Sequence, residues 1–335
     1  MKTIIRCAAV FLALLSLTGC VKPVTDPTET TAPSENPTTS TPTAPAQTGW
    51  VTEDGKTYYF LRDGSFMTGK VQIGESTYYF DNAGVLQTGW VTEGDKKFYF
   101  GTDGAMLTGW VTIDEKQYYF RPNGTMAQGQ VQIDGKNHFF TAAGTEVLVV
   151  NPWNAVPDGY DPDLVTFGEP LGKAGSQVSR VCYDPLVQMM NDCNAIYPTV
   201  YVISSYRSYD YQAGLFENRI QRFQNEGYSR AEAEKLAATV VAKPGTSEHH
   251  LGLAVDIIDT RSWDLTEIQE TLPGQQWLME NCWRYGFILR YPKGTTDSTG
   301  IIYEPWHYRY VGLELAKELH ESKLTLEQYL ENLTE

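Results

Sequence analysis

The sequence predicts an α+β domain preceded by a solenoid of β-hairpins. A 20-residue repeat fills residues 48–147, and residues 148–335 interleave long helical stretches with short apolar strands. A single short hairpin cannot bury its own apolar face, whereas a stack of such units can. Helices that alternate irregularly with strands are typical of α+β folds. The chain therefore divides into a repeat region and a larger mixed domain.

Length and charge narrow the classes of function. The chain has 335 residues, with 26 basic and 41 acidic side chains and a net charge of −15. That length predicts two domains, or one domain with accessory segments. Nucleic acid is not an expected partner, because binding phosphates requires a basic face.

The first 19 residues have the features of an export signal. Lys2 and Arg6 precede the apolar run Cys7–Leu17, which is too short to span a membrane. The run ends in Leu-Thr-Gly-Cys, which resembles the bacterial lipoprotein signal. The resemblance implies cleavage before Cys20, lipid attachment to its thiol, and a wall-associated protein on the outer face of the cell membrane. The alternative is an ordinary secretory signal followed by a chance cysteine.

Residues 20–47 form the next segment, which is rich in Thr, Pro, Ser and Ala. A segment so poor in large apolar residues cannot form a core, and we expect a disordered tether. Its expected role is to hold the rest of the chain away from the membrane.

Three further cysteines follow, at Cys182, Cys193 and Cys282. Export permits a disulfide, and Cys182 could pair with Cys193, but the sequence leaves this open. No Cys-x-x-Cys spacing is present, which argues against a cysteine zinc site.

The repeat at 48–147 is defined by glycines and aromatic triplets with a period of 20 residues. Each unit reads as strand, turn and strand with a glycine-bearing turn. The opening glycines are Gly49, Gly69, Gly89, Gly109 and Gly129, and each triplet is followed four residues later by another glycine, from Gly64 to Gly144. The units resemble the choline-binding and glucan-binding wall repeats of Gram-positive surface proteins.

That resemblance implies a ligand site at Trp50, Trp90 and Trp110, since choline binders enclose the ammonium group between aromatic faces. Lys70 and Gln130 occupy the tryptophan position in the second and fifth units. The residue before each triplet also departs from the tryptophan usual in choline binders. Choline, a cell-wall polysaccharide and a purely structural stalk therefore remain as alternatives.

The mixed domain at 148–335 is expected to contain an antiparallel sheet and several helices. The predicted strands are 198–204, 253–258, 287–291 and 301–310. The predicted helices are 208–225, a segment from the capping box of Ser229 and Glu232 to residue 241, 273–285, and two more at the end of the chain.

Chemistry is indicated by two short segments of this domain. The segment 247–256 reads Ser-Glu-His-His-Leu-Gly-Leu-Ala-Val-Asp, and the segment 304–307 reads Glu-Pro-Trp-His. A zinc hydrolase needs three protein ligands, an open position for water and a carboxylate that accepts the proton of the water. These segments supply such a set, although each residue alone has an ordinary structural interpretation; Glu304, for instance, could simply pair with Arg309.

Together the two segments resemble the LAS-type zinc metallopeptidases that include the VanY-type D-alanyl-D-alanine carboxypeptidases. The family motif is Ser-x-His-x-x-Gly-x-Ala-x-Asp followed by Glu-x-x-His, and the chain matches every fixed position. The resemblance implies one zinc ion bound by His249, Asp256 and His307, with Glu304 as the general base. Because Glu304 precedes a proline, it is expected on a strand or strand edge and not in a helix.

A carboxypeptidase also has to bind a free C-terminal carboxylate. The segment from Ser205 to Gln212 follows a predicted strand and opens a helix, where an anion is readily bound. Similarity to the family implies that Arg207 and Gln212 hold the substrate, with Ser247 as a further contact. Arg207 suits this role because guanidinium binds carboxylate in a bidentate manner.

The resemblance implies removal of D-alanine from peptidoglycan stem peptides. An L,D-carboxypeptidase acting on the tetrapeptide is the alternative enzyme, since the pocket for the penultimate residue is not evident in the sequence. The non-enzymatic alternative is a wall-binding protein with an inactive peptidase domain. The complete set of His249, Asp256, His307 and Glu304 argues against that alternative.

Overall fold

The computed structural model describes residues 48–334. The expected lipoprotein signal, the lipid-attachment residue Cys20 and the tether at 20–47 lie outside the described residues. Among the helices of residues 48–334, none has both the length and the apolar character needed to cross a membrane. Hairpins come first in the described chain and are followed by a mixed set of helices and strands, the predicted order.

The repeat region forms five antiparallel hairpins, one for each 20-residue unit. In each hairpin the opening glycine pairs with the last aromatic residue of the triplet, as Gly49 does with Phe60. The prediction of repeated hairpins is confirmed. The strands are β1 Gly49–Glu53, β2 Lys56–Phe60, β3 Gly69–Ile73, β4 Ser76–Phe80, β5 Gly89–Glu93, β6 Lys96–Phe100, β7 Gly109–Ile113, β8 Lys116–Phe120, β9 Gly129–Ile133 and β10 Lys136–Phe140.

Two-residue turns close these hairpins. In the first turn Asp54 and Gly55 have φ angles of +49° and +73°, as a type I′ turn requires. The glycine four residues after each triplet does not belong to this hairpin turn. It lies in the loop that follows the second strand of each unit. Gly124 is an example, with φ +82°, and a Cβ there would lie 2.2 Å from the sulphur of Met106. This glycine thus lets one unit pack on the next.

The mixed domain contains six strands: β11 Leu164–Phe167, β12 Ser176–Ser179, β13 Val200–Ser204, β14 Ala254–Asp259, β15 Phe287–Leu289 and β16 His307–Tyr310. Four of them form an antiparallel sheet in the order β13-β14-β16-β15, and β11 pairs separately with β12. The helices are α1 Arg180–Asn194, α2 Tyr209–Asn225, α3 Arg230–Val240, α4 Pro273–Asn281, α5 Thr296–Thr299, α6 Leu313–Ser322 and α7 Leu326–Asn332. Short 3-10 helices lie at Glu248–Leu251, Glu267–Thr271 and Cys282–Tyr285.

Helix signals in the sequence correspond to the observed helix ends. Ser229 and Glu232 form both hydrogen bonds of the predicted capping box at the start of α3. Pro273 opens α4, and Gly286 ends the following 3-10 turn with φ +81°. The strand predicted over 301–310 is wrong in its first half, because a turn precedes β16 and only its last four residues are extended.

Helix α1 was not predicted, and it supplies much of the core. Its residues at helical spacing are fully buried against the sheet: Cys182, Leu186, Met189, Met190 and Cys193. The three cysteines of the described residues are buried and free, so the disulfide that the sequence left open is not formed. Burial raises the pKa of each thiol to about 12, which keeps the thiols protonated.

The last hairpin packs directly against the C-terminal helices. Phe139 of β10 belongs to the same apolar cluster as Leu315 of α6 and Leu330 of α7. The backbone N–H of Ala142 donates to the Tyr329 hydroxyl at 3.1 Å. The repeat region and the mixed domain therefore share a core at their junction.

Candidate metal centre and active site

A cleft of about 710 Å³ runs beside the central sheet. One wall is the face of α2 that carries Tyr211, Leu215 and Arg219, and the other includes the segment 301–304. His249, Asp256 and His307 line the same cleft. The two sequence segments expected to carry the chemistry are therefore brought together here.

Strand pairing fixes two of these side chains relative to each other. Asp256 on β14 lies directly opposite His307 on β16, and it also lies opposite Ser204 on β13. Side chains on adjacent antiparallel strands at paired positions point to the same face. Val255 and Ile257, one residue to either side, lie in the apolar core cluster. The alternation expected for this strand is thus observed.

His249 reaches the site from the short 3-10 helix that precedes β14. The helix ends at Gly252, whose φ of +68° reverses the chain. A Cβ at this glycine would lie 2.9 Å from the backbone nitrogen of Ser179. Gly252 therefore combines a left-handed turn with close packing, which explains the fixed glycine between the histidine and the aspartate.

The side chains of His249, Asp256 and His307 offer three ligand atoms that all lie within 4.8 Å of one another. The three residues are 2–3% exposed. The Nε2 atom of His249 is 3.4 Å from Asp256 Oδ2, and the Nδ1 atom of His307 is 3.1 Å from Asp256 Oδ1. Two imidazoles and one carboxylate form a donor set that suits a zinc ion with an open fourth position.

The protonation of His249 supports that fit. Its Nδ1 atom lies 2.7 Å from the carbonyl oxygen of Ser205, which can only accept, so Nδ1 carries the hydrogen and Nε2 has a free lone pair. Burial, reinforced by the nearby Arg207 guanidinium, lowers the pKa of His249 to about 4. The imidazole is therefore neutral at pH 7, as a metal ligand must be.

Glu304 lies beside the donor set without joining it. Its Oε2 atom is 3.6 Å from His307 Nδ1, and a turn closed by the bond from the His307 N–H to the Glu304 carbonyl positions both side chains. Glu304 thus lies at the start of the turn that precedes β16 and not on the strand itself, and Arg309, its alternative partner, contacts Glu248 instead. Burial raises the pKa of Glu304 to about 7, with His307 opposing the shift. Such a carboxyl can accept and return a proton near neutral pH.

Arg207 also lies in the cleft and is bonded to Asp256 through Nη2. Its Nε–H donates to Ser204 Oγ at 2.9 Å, and an Nη1–H donates to Gln212 Oε1 at 3.4 Å. Gln212 is fully buried and also donates to the carbonyl of Ala242. Gln212 therefore lies behind Arg207, not in the cleft, whereas Ser247 lines the cleft near His249.

Three aromatic corners repeat along the hairpin stack. In each, an exposed tryptophan makes edge contacts with one ring of its own unit and one ring of the next. The centroid distances are 4.8 to 5.3 Å for Trp50 with Tyr59 and Tyr78, Trp90 with Tyr99 and Tyr118, and Trp110 with Tyr119 and His138. Each tryptophan is more than 40% exposed, so its remaining surface is open to a ligand.

The two units without tryptophan differ in structure. The ammonium group of Lys70 lies 3.9 Å from the centre of the Phe98 ring and 2.7 Å from the Glu93 carboxylate. A protein cation therefore lies against the ring of the next unit, where the other corners have a tryptophan. The fifth unit is the last of the repeat, and the backbone N–H of Gln130 donates to the hydroxyl of Thr334 at 3.0 Å.

Comparison with known proteins follows the same division of the chain. A family model described as D-alanyl-D-alanine carboxypeptidase (VanY) matches residues 175–313. A choline-binding repeat model matches residues 47–84 and 107–153, and a cell wall binding repeat model matches 88–106. The first model lies within the mixed domain, and the two repeat models together match the hairpins.

Individual relatives match the same domain. The Bacillus subtilis putative carboxypeptidase YodJ is 36% identical over 193 residues, which are 55% of this chain and 67% of that protein. The chain belongs to the VanY carboxypeptidase family. An Enterococcus faecalis D-alanyl-D-alanine carboxypeptidase is 39% identical, and the match spans 55% of this chain and 65% of that enzyme. A solved structure of VanYB in complex with D-alanine-D-alanine is 36% identical to this chain, with a TM-score of 0.49. The match covers 55% of this chain and 96% of VanYB.

The VanY family and the wall-binding-type repeats are thus confirmed as predicted. Sequence reasoning missed Glu248, which packs behind the donor set, and Tyr291, whose ring centre is 4.8 Å from that of His307. Neither residue had a signal in the sequence. Glu248 is adjacent to His249 but faces His307, and Tyr291 lies 16 positions before His307, so both contacts depend on the fold.

Proposed function

We propose that the chain is a zinc-dependent D-alanyl-D-alanine carboxypeptidase that removes the C-terminal D-alanine of peptidoglycan stem peptides. The observation that carries the proposal is the buried donor set of His249, Asp256 and His307, with Glu304 beside it and Arg207 in the same cleft. All members of the set are present, which favours an active enzyme over a binding protein with an inactive peptidase domain.

His249 Nε2, Asp256 and His307 Nδ1 would hold the zinc ion. When bound, zinc supplies Lewis-acid polarisation of the scissile carbonyl and makes water more acidic. Glu304 accepts the proton from the attacking water and then donates it to the departing D-alanine amine. Its raised pKa suits both steps, because a carboxylate near neutrality gains and loses a proton readily.

Arg207 is proposed to bind the terminal carboxylate of the substrate. A guanidinium has five N–H donors, and three are directed to Ser204, Gln212 and Asp256. One N–H on each terminal nitrogen is left, and this pair suits bidentate carboxylate binding. The backbone of Arg207 is fixed by His250, whose Nδ1 lies 2.7 Å from the Arg207 carbonyl oxygen.

The test of this activity is D-alanine release by the full chain from two defined stem peptides. One is a pentapeptide ending in D-Ala-D-Ala, and the other is a tetrapeptide ending in a single D-Ala. We expect chelator-sensitive release from the pentapeptide. Release from the tetrapeptide alone would favour the L,D-carboxypeptidase alternative, and no release from either peptide by zinc-loaded protein would contradict the proposal.

The substitution Arg207→Lys is expected to lower kcat/KM on the pentapeptide by about 100-fold, because hydrogen bonds to charged groups contribute about 1.5–3 kcal/mol each. The same variant should be compared with wild type on a pentapeptide whose C-terminus is an amide. We expect wild type to use the amide poorly and the substitution to have little further effect on it. An equal loss on acid and amide would show that Arg207 acts through Asp256 and not on the carboxylate.

We also propose that the hairpins bind quaternary ammonium groups, such as choline, at Trp50, Trp90 and Trp110. The three open aromatic corners support this, since aromatic faces attract a cation within about 6 Å of the ring centre. The departures from the usual choline-binder pattern leave wall polysaccharide as the competing ligand. Binding to the wall by either ligand would keep the peptidase close to its substrate.

The number of sites gives a prediction that depends on Lys70. Wild type is expected to bind up to three choline molecules per chain, and Lys70→Trp is expected to add a fourth because it removes the internal ammonium and completes the corner with Phe98. Isothermal titration calorimetry measures the stoichiometry. Gln130→Trp is the matched control: the same change is made where Thr334, and not another hairpin, packs alongside, so no new site should appear. An unchanged stoichiometry in Lys70→Trp would contradict the role of Lys70.

The location of the protein is proposed from its sequence. Export, lipid attachment at Cys20 and the 20–47 tether would hold the enzyme outside the cell membrane, where stem peptides are found. Incorporation of labelled lipid into wild type but not Cys20→Ala is the expected result. Equal incorporation in both would contradict the anchor.

A further inference from the structure

Glu248 precedes the ligand His249 in sequence but faces away from the cleft. Its side chain is fully buried, and its Oε2 atom lies 3.6 Å from the Nε2 atom of His307. Neither atom has a hydrogen-bond partner among the described residues, so each is the nearest polar group available to the other. The other ring nitrogen of His307, Nδ1, faces Asp256 at 3.1 Å. The imidazole thus has the donor set on one side and Glu248 on the other.

Two buried arginines support the Glu248 carboxylate through its second oxygen. Arg290 Nε donates to Oε1 at 2.8 Å, and Arg309 Nη1 lies 3.0 Å from the same atom. Both arginines are about 1% exposed. A carboxylate can exist as an anion at such a depth only with opposite charges beside it. Because Oε1 is used by the arginines, Oε2 is left to face His307.

A second carboxylate balances the charge of this cluster. Glu327 of α7 accepts a hydrogen bond from Arg290 Nη1 at 2.9 Å. Glu327 also accepts from the side-chain amide of Asn151 at 3.0 Å. The cluster therefore holds two arginines and two glutamates, and only one of the two glutamates, Glu248, faces a residue of the metal centre.

We propose that Glu248 is a positioning residue for the metal centre: it accepts the Nε2–H of His307 and so keeps the Nδ1 lone pair directed at the metal. This inference rests on the zinc site of the proposed function. A ligand histidine usually donates its other ring N–H to a carboxylate, backbone carbonyl or water, which fixes the tautomer and orientation of the ring. The Ser205 carbonyl has this role for His249, and Glu248 has it for His307.

The test compares Glu248→Gln with Glu327→Gln in the full chain. Each substitution removes one negative charge from the same buried cluster and weakens the bonding of Arg290, which donates one hydrogen bond to Glu248 and two to Glu327. We therefore expect both variants to lower the stability of the metal-free protein. Only Glu248→Gln alters the group that faces His307. We expect it to weaken zinc binding by about 10- to 100-fold, measured by competition with a chromophoric chelator. Glu327→Gln is expected to leave zinc affinity unchanged.

The absorption spectrum of the cobalt-substituted protein is the second readout, because it reports the ligand field and not the stability of the fold. We expect it to change in Glu248→Gln and to match wild type in Glu327→Gln. Should Glu248→Gln not fold, Glu248→Asp keeps the charge, shortens the side chain and is expected to weaken zinc binding in the same way. Wild-type zinc affinity in the Glu248 variant, or an equal loss in both variants, would overturn the proposal.

Zinc affinity is measured without substrate, so the two hypotheses fail separately. A wild-type chain that binds zinc but releases no D-alanine would contradict the proposed activity and leave the role of Glu248 intact. Release of D-alanine with equal zinc affinity in wild type and Glu248→Gln would contradict the role of Glu248 alone.

Discussion

Glu304→Gln is expected to lower kcat/KM for D-alanine release by about 10³-fold while zinc stays bound, because the amide cannot accept the proton of the attacking water. The side chain lies 3.6 Å from His307 Nδ1 but is not needed to complete the donor set of His249, Asp256 and His307. Removal of its charge should therefore affect the chemical step and not metal retention. Steady-state kinetics on the pentapeptide and the zinc-to-protein ratio measure the two effects.

A second acid of the same cleft provides the control. Glu267 lines the cleft, but its side chain is 67% exposed and pairs with Lys293 at 3.3 Å. Glu267→Gln removes an equal charge from the cleft without touching the donor set, and we expect near wild-type activity. A comparable loss in both variants would indicate a general effect of cleft charge, and a fully active Glu304→Gln would contradict its role as the base.

Local signals in the sequence predicted the backbone around Asp256 and Glu304, whereas the donor set itself was implied by the family resemblance. The apolar run before Asp256 indicates a strand, and the proline after Glu304 indicates extended or turn backbone. Both signals depend only on a few neighbouring residues. The register that pairs Asp256 with His307 follows once the two strands are adjacent. The family motif therefore consists of two short segments, and the pairing of β14 with β16 brings them together.

Contacts between distant segments are what the sequence could not supply. Glu248, Arg290 and Glu327 are separated by 42 and 37 positions, and each alone looks like a surface charge. Similarly, Lys70 was recognised at a tryptophan position, but its contact with Phe98 depends on how one hairpin packs on the next. Such pairings are decided by tertiary packing, so neither composition nor spacing indicates them.

Helix α1 illustrates a different limit. Its buried residues recur at helical spacing, yet Pro185 lies near its start and would interrupt a typical helix interior. In the structure this proline is in the second turn of α1, and burial of the apolar stripe outweighs the local cost. Tertiary packing therefore overrides a local signal that correctly marked the start of α4.

His249→Ala is the substitution expected to affect metal binding most strongly. It removes a neutral, buried nitrogen that the Ser205 carbonyl aims at Asp256. Because a direct ligand is lost, zinc affinity should fall by more than the roughly 100-fold upper range for outer contacts. D-alanine release at stoichiometric zinc should then fall to background. The zinc content after gel filtration and the rate of release are the two measurements.

The neighbouring histidine makes this prediction selective. His250 is also buried, but its ring contacts the Arg207 carbonyl at 2.7 Å and the Gly245 N–H at 3.1 Å, so it has no nitrogen left for a metal. His250→Ala should therefore retain one zinc per chain even if the loop that carries Arg207 shifts and activity declines. Retention of zinc by His249→Ala, or its equal loss from both variants, would mean that His249 is not a metal ligand. Loss of zinc from His249→Ala alone would show that zinc binding depends on the His249 ring nitrogen. It would also show that a general disturbance of the segment is not the cause.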